Sequence, residues 1–254
     1  MAALSFLTII PLPHRLEADP EEVGRSIGYF PIVGVIIGLI LAGVNWLLGL
    51  FLPSAVVNAL LIVSLVVISG ALHLDGFVDT CDGIAGHKTV EDRWRVMRDS
   101  RAGAFGIIGV LLLLLVKYVS LSSVPEGWLT ATLVLMPVLS RWAMVYALFA
   151  YPYARLEGLG KVFKQGASWQ GFAVATIITL AVAIGLARLA NVAYFYLAGL
   201  VAMLGVWVIV IAMANYLKRK FSGLTGDTYG AINEVAEVCL LILVCLLAHN
   251  SGFS

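Results

Sequence analysis

Seven apolar runs, each close to the length of a bilayer span, dominate this chain. They lie at about 30–52, 54–74, 104–124, 128–150, 171–190, 193–216 and 235–249. The last is short, and 104–124 contains Lys117. A helix needs roughly 20 apolar residues to cross hydrocarbon. Backbone polar groups there must be bonded within the structure, which leaves helices and closed barrels. These runs are too long and too uniform for barrel strands. The expected fold is an all-α polytopic membrane protein: a helical bundle of about seven transmembrane helices with interfacial helices, as a single domain over residues 1–254. Only 12% of the residues are charged, against about 25% in soluble domains.

The polar residues are distributed unevenly. With seven spans, the segments 1–29, 75–103, 151–170 and 217–234 share one side and hold 13 of the 16 Lys and Arg. The positive-inside bias places that side, with the N-terminus, in the cytoplasm and the C-terminus outside. Fourteen of the fifteen Asp and Glu lie in or beside the same segments, Glu126 being the exception. Acids contribute little to topology, so their placement needs another cause. A transporter would show polar groups on both faces or a charged path between them. Arg141 and Lys117 keep that alternative open. No basic block is dense enough for nucleic acid. Cys81, Cys239 and Cys245 form no CxxC pattern, so neither a disulfide framework nor a zinc site is expected. The N-terminal MAALSFLTIIPLPHR lacks a basic n-region and is interrupted by Pro11 and Pro13. It reads as an interfacial segment rather than a cleaved signal.

The stretch LHLDGFVDTCDGIAGHK, residues 72–88, reads as a helix continuing out of the second span. At about 100° per residue, Asp75, Asp79 and Asp82 fall at about 0°, 40° and 340°. Three carboxylates on one stripe repel and need a counter-charge. Oxygen ligands at this density suit Mg²⁺ or Mn²⁺, held together with substrate phosphates. Gly76, Gly83 and Gly86 remove side chains beside the stripe, as a close ligand or neighbouring helix would require. The alternative is a solvated helix end, which would account for one aspartate better than for three. His73 lies off the stripe, with a structural and a catalytic role equally open.

The block EDRWRVMRDSRAGAFG, residues 91–106, reads as an interfacial helix carrying Arg93, Arg95, Arg98 and Arg101. Asp92 and Asp99, seven apart, would share one face. Arginine suits bidentate phosphate contact, and the small residues before the next span could offer backbone amides to an anion. A positive-inside anchor explains most of the arginines but not Asp99. The block FSGLTGDTYGAINEVAEV, residues 221–238, reads as an amide-rich loop with Gly223, Gly226 and Gly230, followed by Asp227, Glu234 and Glu237. The two glutamates share a face at the start of a span and would need pairing or metal there; complementing the helix dipole is the alternative. The loop 151–170 adds Arg155, Lys161 and Lys164, for anchoring or anion binding. Arg141, inside a span, reads as a buried cation facing a cavity. Together these residues imply a one-sided divalent-metal site for a phosphorylated substrate, the arrangement phosphoryl transfer needs.

LHLDGFVDTCDGIAG, RVMRDSRAGAFG and GLTGDTYGAINEVAE, with FLTIIPLP and YFPIVGVIIG, resemble the adenosylcobinamide-GDP ribazoletransferases, or cobalamin synthases, over nearly the whole chain in matching order. The resemblance implies a helical bundle in the bacterial cytoplasmic (inner) membrane, in contact with lipid and with its active face cytoplasmic. It implies transfer of the adenosylcobinamide-phosphate moiety of adenosylcobinamide-GDP to the 3′-hydroxyl of α-ribazole or its 5′-phosphate, releasing GMP, with Mg²⁺ as cofactor. By position, Asp75, Asp79 and Asp82 are then metal ligands, Asp99 a further candidate ligand among the catalytic acids, and one of these carboxylates an alternative proton acceptor. Arg98, Arg101, Arg141, Lys161, Asp227, Glu234 and Glu237 are the matching substrate-binding candidates. Oligomeric state stays open, a homo-oligomer included. Among rivals, CDP-alcohol phosphotransferases begin their motif Asp-Gly-x-x-Ala-Arg, where this chain has Asp79-Thr80. Membrane prenyltransferases would need DDxxD, which is absent. An ion-coupled transporter would carry mid-span acids on two or more helices.

Overall fold

The computed structural model describes residues 2–10, 20–85, 89–155, 157–189 and 195–250. Pro11, Pro13, Gly86 and the loop at 190–191 lie outside them. The described chain is helical: α1 (Ala2–Leu7), α2 (Pro20–Arg25), a 3₁₀ turn (Ser26–Tyr29), α3 (Phe30–Gly49), α4 (Ser54–Ile68), α5 (Leu72–Ile84), α6 (Val90–Val96), α7 (Ala104–Ser122), α8 (Glu126–Ala150), α9 (Leu159–Gly166), α10 (Trp169–Leu189), α11 (Phe195–Phe221) and α12 (Gly226–Asn250). Six stretches are long and apolar enough to cross a membrane, and a seventh arises if α4 and α5 are counted as one bent span. An all-helical, multi-pass membrane bundle is therefore confirmed.

The axis of the bundle is α8, most of whose central residues are buried. Its Pro137 supplies no N–H to the carbonyl of Leu133, which interrupts the helix ladder locally. Helix α3 fills that place with Gly34 and Gly38, four residues apart. A Cβ on Gly34 would stand 2.5 Å from the Pro137 carbonyl oxygen, and one on Gly38 would stand 2.5 Å from the Val134 Cα. This is a small-xxx-small contact, which lets backbones approach where hydrocarbon gives no hydrophobic drive. Helix α12 also packs on α8, and α5 packs in turn on α12 and on α7.

Two span boundaries differ from the sequence expectation. The run 54–74 does not continue straight into the aspartates. Helix α4 ends after 15 residues, and α5 leaves at 89° to it. Gly70 and Ala71, at φ +60° and +57°, make the corner. The Ala71 N–H bonds back to Val66 O at 2.9 Å, and Ile9 N–H donates to Ile68 O at 2.9 Å. These bonds satisfy terminal carbonyls of α4. Hydropathy cannot register the turn, because an apolar run looks alike straight or bent. The last helix also starts nine residues before the expected 235. Thr225 and Thr228 form a reciprocal cap: Thr228 N–H donates to Thr225 Oγ1 at 3.3 Å, and Thr225 N–H to Thr228 Oγ1 at 2.7 Å. Gly230 is therefore a helix residue, pressed on His73, and not part of a loop.

Candidate active site

Glycines bring α5 and α12 together. A Cβ on Gly76 would stand 2.7 Å from the Asp227 carbonyl oxygen, and one on Gly230 would stand 3.0 Å from that of His73. The first turn of α12 thus lies against the aspartate helix. Above them, the loop after α8 pairs with the loop before α12. Ala154 N–H donates to Leu224 O at 2.8 Å, and Leu224 N–H to Pro152 O at 2.9 Å. This pairing delivers Arg155 to Asp227, with Nη2 and Oδ2 2.8 Å apart.

A cavity of about 250 Å³ opens between these elements. Asp75, Asp227, Arg155 and Glu157 border it, with aromatic walls from Phe6, Phe30, Phe163, Tyr153 and Tyr229. Asp79, one turn along α5, interacts electrostatically with Asp227, Asp75 and Arg155, and more weakly with Asp82. The expected stripe is therefore real, and tertiary packing adds Asp227 to it.

Asp82 ends the stripe with a different set of partners. Its Oδ2 accepts from Gly103 N–H at 2.7 Å and its Oδ1 from Gly106 N–H at 2.8 Å. Asp82 is the anion at the N-terminus of α7, where free amides and the helix dipole favour one. The small residues of RAGAFG make room for it: a Cβ on Gly103 would sit 2.5 Å from Oδ1. The amides expected to meet a substrate anion meet an aspartate of the same chain instead. Asp82 and Asp99 border a second, open cleft of about 590 Å³ with Arg101.

The interfacial helix at 91–106 is shorter than expected. Only Val90–Val96 are helical, capped by Thr89, whose Oγ1 accepts from Asp92 N–H at 3.1 Å. Arg98, Asp99 and Arg101 lie in the exposed loop that follows, so Asp92 and Asp99 do not share a helix face. Asp99 is clasped by Arg101, with Nε to Oδ1 at 3.0 Å and Nη2 to Oδ2 at 2.8 Å. These bonds hold its carboxyl down at about 2. Lys161 lies on α9, away from the aspartates in sequence and half-buried. Its neighbour Lys164 donates to Leu148 O at 2.7 Å and Phe149 O at 3.0 Å, satisfying carbonyls at the end of α8.

Arg141, Glu234 and Glu237 are not at a span end. They meet inside the bundle with Lys117, on three helices. Lys117 Nζ is 2.7 Å from Glu234 Oε2 and 2.8 Å from Glu237 Oε2, and Arg141 pairs with Glu237 Oε1. Ser140 Oγ and Asn233 Nδ2 each donate to Glu237 Oε1 at 3.2 Å. The four ionic groups are nearly fully buried and formally neutral together. Both acids lie on α12, so the two-helix mid-span acid pattern of a transporter is not met among the described residues. None of these four side chains lines the 250 Å³ cavity.

No three His, Cys, Asp or Glu side chains form a ready-made metal cage among the described residues. Mg²⁺ seldom uses one. It is bound by one or two carboxylates and by substrate phosphates, keeping several waters. Asp227 pairs with Arg155, Asp75 borders the same cavity, and Asp79 lies one turn along α5. Their excess negative charge and hard oxygen donors fit such an ion.

The bundle is that of a multi-pass membrane protein in which the aspartate-bearing turns of α5 and α12 are brought together. The chain belongs to the cobalamin-5-phosphate synthase family, whose model matches residues 1–245. Proteins named adenosylcobinamide-GDP ribazoletransferase are similar along nearly its whole length. That of Roseiflexus sp. (strain RS-1) is 39% identical, covering 97% of this chain and 88% of its own. That of Geotalea daltonii is 39% identical, covering 96% of each. That of Fusobacterium nucleatum subsp. nucleatum is 34% identical, covering 96% of this chain and 95% of its own. No solved structure matches.

Proposed function

We propose that this chain transfers the adenosylcobinamide-phosphate moiety of adenosylcobinamide-GDP to the 3′-hydroxyl of α-ribazole or its 5′-phosphate, using the face that carries Asp75, Asp79 and Asp227. The hydroxyl oxygen forms a bond to the phosphorus nearer cobinamide. The bond from that phosphorus to the bridging oxygen breaks, GMP leaves with that oxygen, and the hydroxyl proton passes to a carboxylate or water. Within this family, the observation that carries the reading is the meeting of Asp75, Asp227 and Arg155 at the mouth of a cavity of nucleoside size, with Asp79 one turn along α5. Arg155 offers a planar fork for phosphate oxygens. Asp75 and Asp79 would hold Mg²⁺, which supplies charge neutralisation on the pyrophosphate. Asp82 supports the site by fixing α5 to α7, and Arg98 can meet anionic groups from the exposed loop, where Arg101 is engaged by Asp99. The positive-inside bias supports a cytoplasmic active face in the bacterial inner membrane.

The test is GMP release by the purified protein given both substrates. Release should require a divalent cation, and turnover in excess EDTA would refute the metal reading. Asp79→Asn should abolish release while the protein stays folded; normal turnover would remove Asp79 from the reaction.

A further inference from the structure

Helices α8, α10 and α11 leave an apolar groove of about 410 Å³ between them. Trp142, Tyr146 and Phe172 form one wall, and Leu200, Leu204 and Trp207 the other. The groove shares no lining residue with the 250 Å³ cavity. Its rings hold one another in place. The Tyr146 centroid lies 6.0 Å from those of both Phe172 and Trp207, and Trp142 stacks on Phe172 at 6.5 Å. Trp142 Nε1 donates to Thr176 Oγ1 at 3.0 Å, so the indole asks nothing polar of an occupant. The α11 wall is open, with Leu204 59% exposed and Leu200 and Trp207 also accessible. It continues into Val208 of α11 and faces Ile177 of α10, both exposed. The groove is a recess in the surface that meets hydrocarbon in a bilayer.

Water does not suit this recess, because ordered water needs two to four polar partners and the lining presents no polar surface. Left empty, the walls would forfeit dispersion contacts. A hydrocarbon chain supplies them. Charge at the polar end of the groove then selects the lipid. Lys218, Arg219 and Lys220 close α11 at the end of the bundle where α12 begins with Asp227. At about 100° and 1.5 Å per residue, Lys218 stands about 20° from Trp207 around the helix, about 0° from Leu200, and about 16 Å beyond Trp207 along the axis. It therefore crowns the groove face, and it is exposed. Arg93 Nη1 donates to Lys220 O at 2.7 Å, which docks the basic segment of α6 at the same end. Trp169, 64% exposed at the start of α10 and three residues before Phe172, stands where an interfacial aromatic belongs. Lys and Arg clustered beside a span attract anionic headgroups.

We propose that this groove binds one anionic phospholipid: an acyl chain lies between the Trp142–Tyr146–Phe172 wall and Leu204, and the headgroup phosphate reaches Lys218. The site is separate from the carboxylate face and does not rest on the function proposed above.

The test counts lipid retained by the full-length protein. The protein is placed in detergent micelles holding equal amounts of phosphatidylglycerol and phosphatidylcholine with identical chains, and retained lipid is read by native mass spectrometry. Wild type should keep one phosphatidylglycerol. Leu204→Trp fills the groove from its open wall and should lose that lipid. Val208→Trp adds the same bulk to the neighbouring exposed residue, outside the groove, and should keep it. Both positions are exposed, so neither change disturbs packing inside the bundle. Lys218→Gln should lower the preference for phosphatidylglycerol over phosphatidylcholine about fivefold, the worth of one lysine beside an anionic headgroup. Equal retention by wild type and Leu204→Trp would overturn the proposal. Loss in Leu204→Trp and Val208→Trp alike would mean unspecific surface lipid and overturn it too. A wild-type dimer that Leu204→Trp dissociates would give the groove to a second copy of the chain instead. Equal uptake of the two lipids by wild type would refute the role of charge.

Discussion

Lys117→Met is the perturbation whose consequence follows most directly from the geometry. Lys117 is 1% exposed and is bonded to Glu234 and Glu237, while Arg141 compensates Glu237 from the other side. Two acids and two bases balance. Removing the ammonium leaves two buried carboxylates and one guanidinium. Breaking one partner out of a buried ion pair costs about 3–5 kcal/mol, because the remaining charge is uncompensated. At about 2–4 °C per kcal/mol for a chain of this size, the melting temperature should fall by about 6–20 °C. The double variant Lys117→Met/Glu234→Gln removes one charge of each sign. Apolar or neutral replacements of buried pairs are often close to neutral in stability, so the double variant should regain most of the loss. Thermal unfolding in one detergent, followed by circular dichroism, reads both. Equal losses in the single and double variants would show that charge balance does not govern this network. So would a single variant as stable as wild type.

Asp82→Asn should loosen the junction of α5 with α7, since an amide can accept from only one of Gly103 and Gly106 and an unsatisfied N–H costs about 1–3 kcal/mol. Trypsin should then cut faster after Arg98 or Arg101 and GMP release should fall; wild-type cleavage and turnover would refute the capping role. Gln165→Cys, exposed on α9, should react with a membrane-impermeant maleimide in inverted vesicles and not in intact cells, and the reverse pattern would overturn the orientation.

Much of the site was legible before any fold was known. A period of 3.6 residues is enough to put Asp75, Asp79 and Asp82 on one stripe, because helical geometry is local. The bundle was legible for the same kind of reason: a bilayer admits little besides helices. What the period could not supply is where each carboxylate points. Asp82 sits on the predicted stripe yet faces the α7 amides, a partner 21 residues away that only packing selects. Glu234 and Glu237 looked like span-end acids because the threonine cap nine residues earlier has little hydropathy of its own. Arg155 was visible as a loop cation, but nothing in its neighbourhood named Asp227, 72 residues on, as its partner.

The sequence by itself determined that this is a multi-pass helical membrane protein with its charges gathered in alternate connecting segments, because hydrocarbon length, charge asymmetry and helical period are all properties of short segments. Tertiary structure alone decided the rest. It bent the second span through 89° at Gly70 and Ala71. It separated the acids into a cavity rim, a helix cap and a buried network with Lys117 and Arg141. It enclosed the cavity with rings from α1, α3, α9 and α12. Those outcomes depend on which distant surfaces meet, and the glycines that let them meet show their purpose only once the opposing backbone is in place.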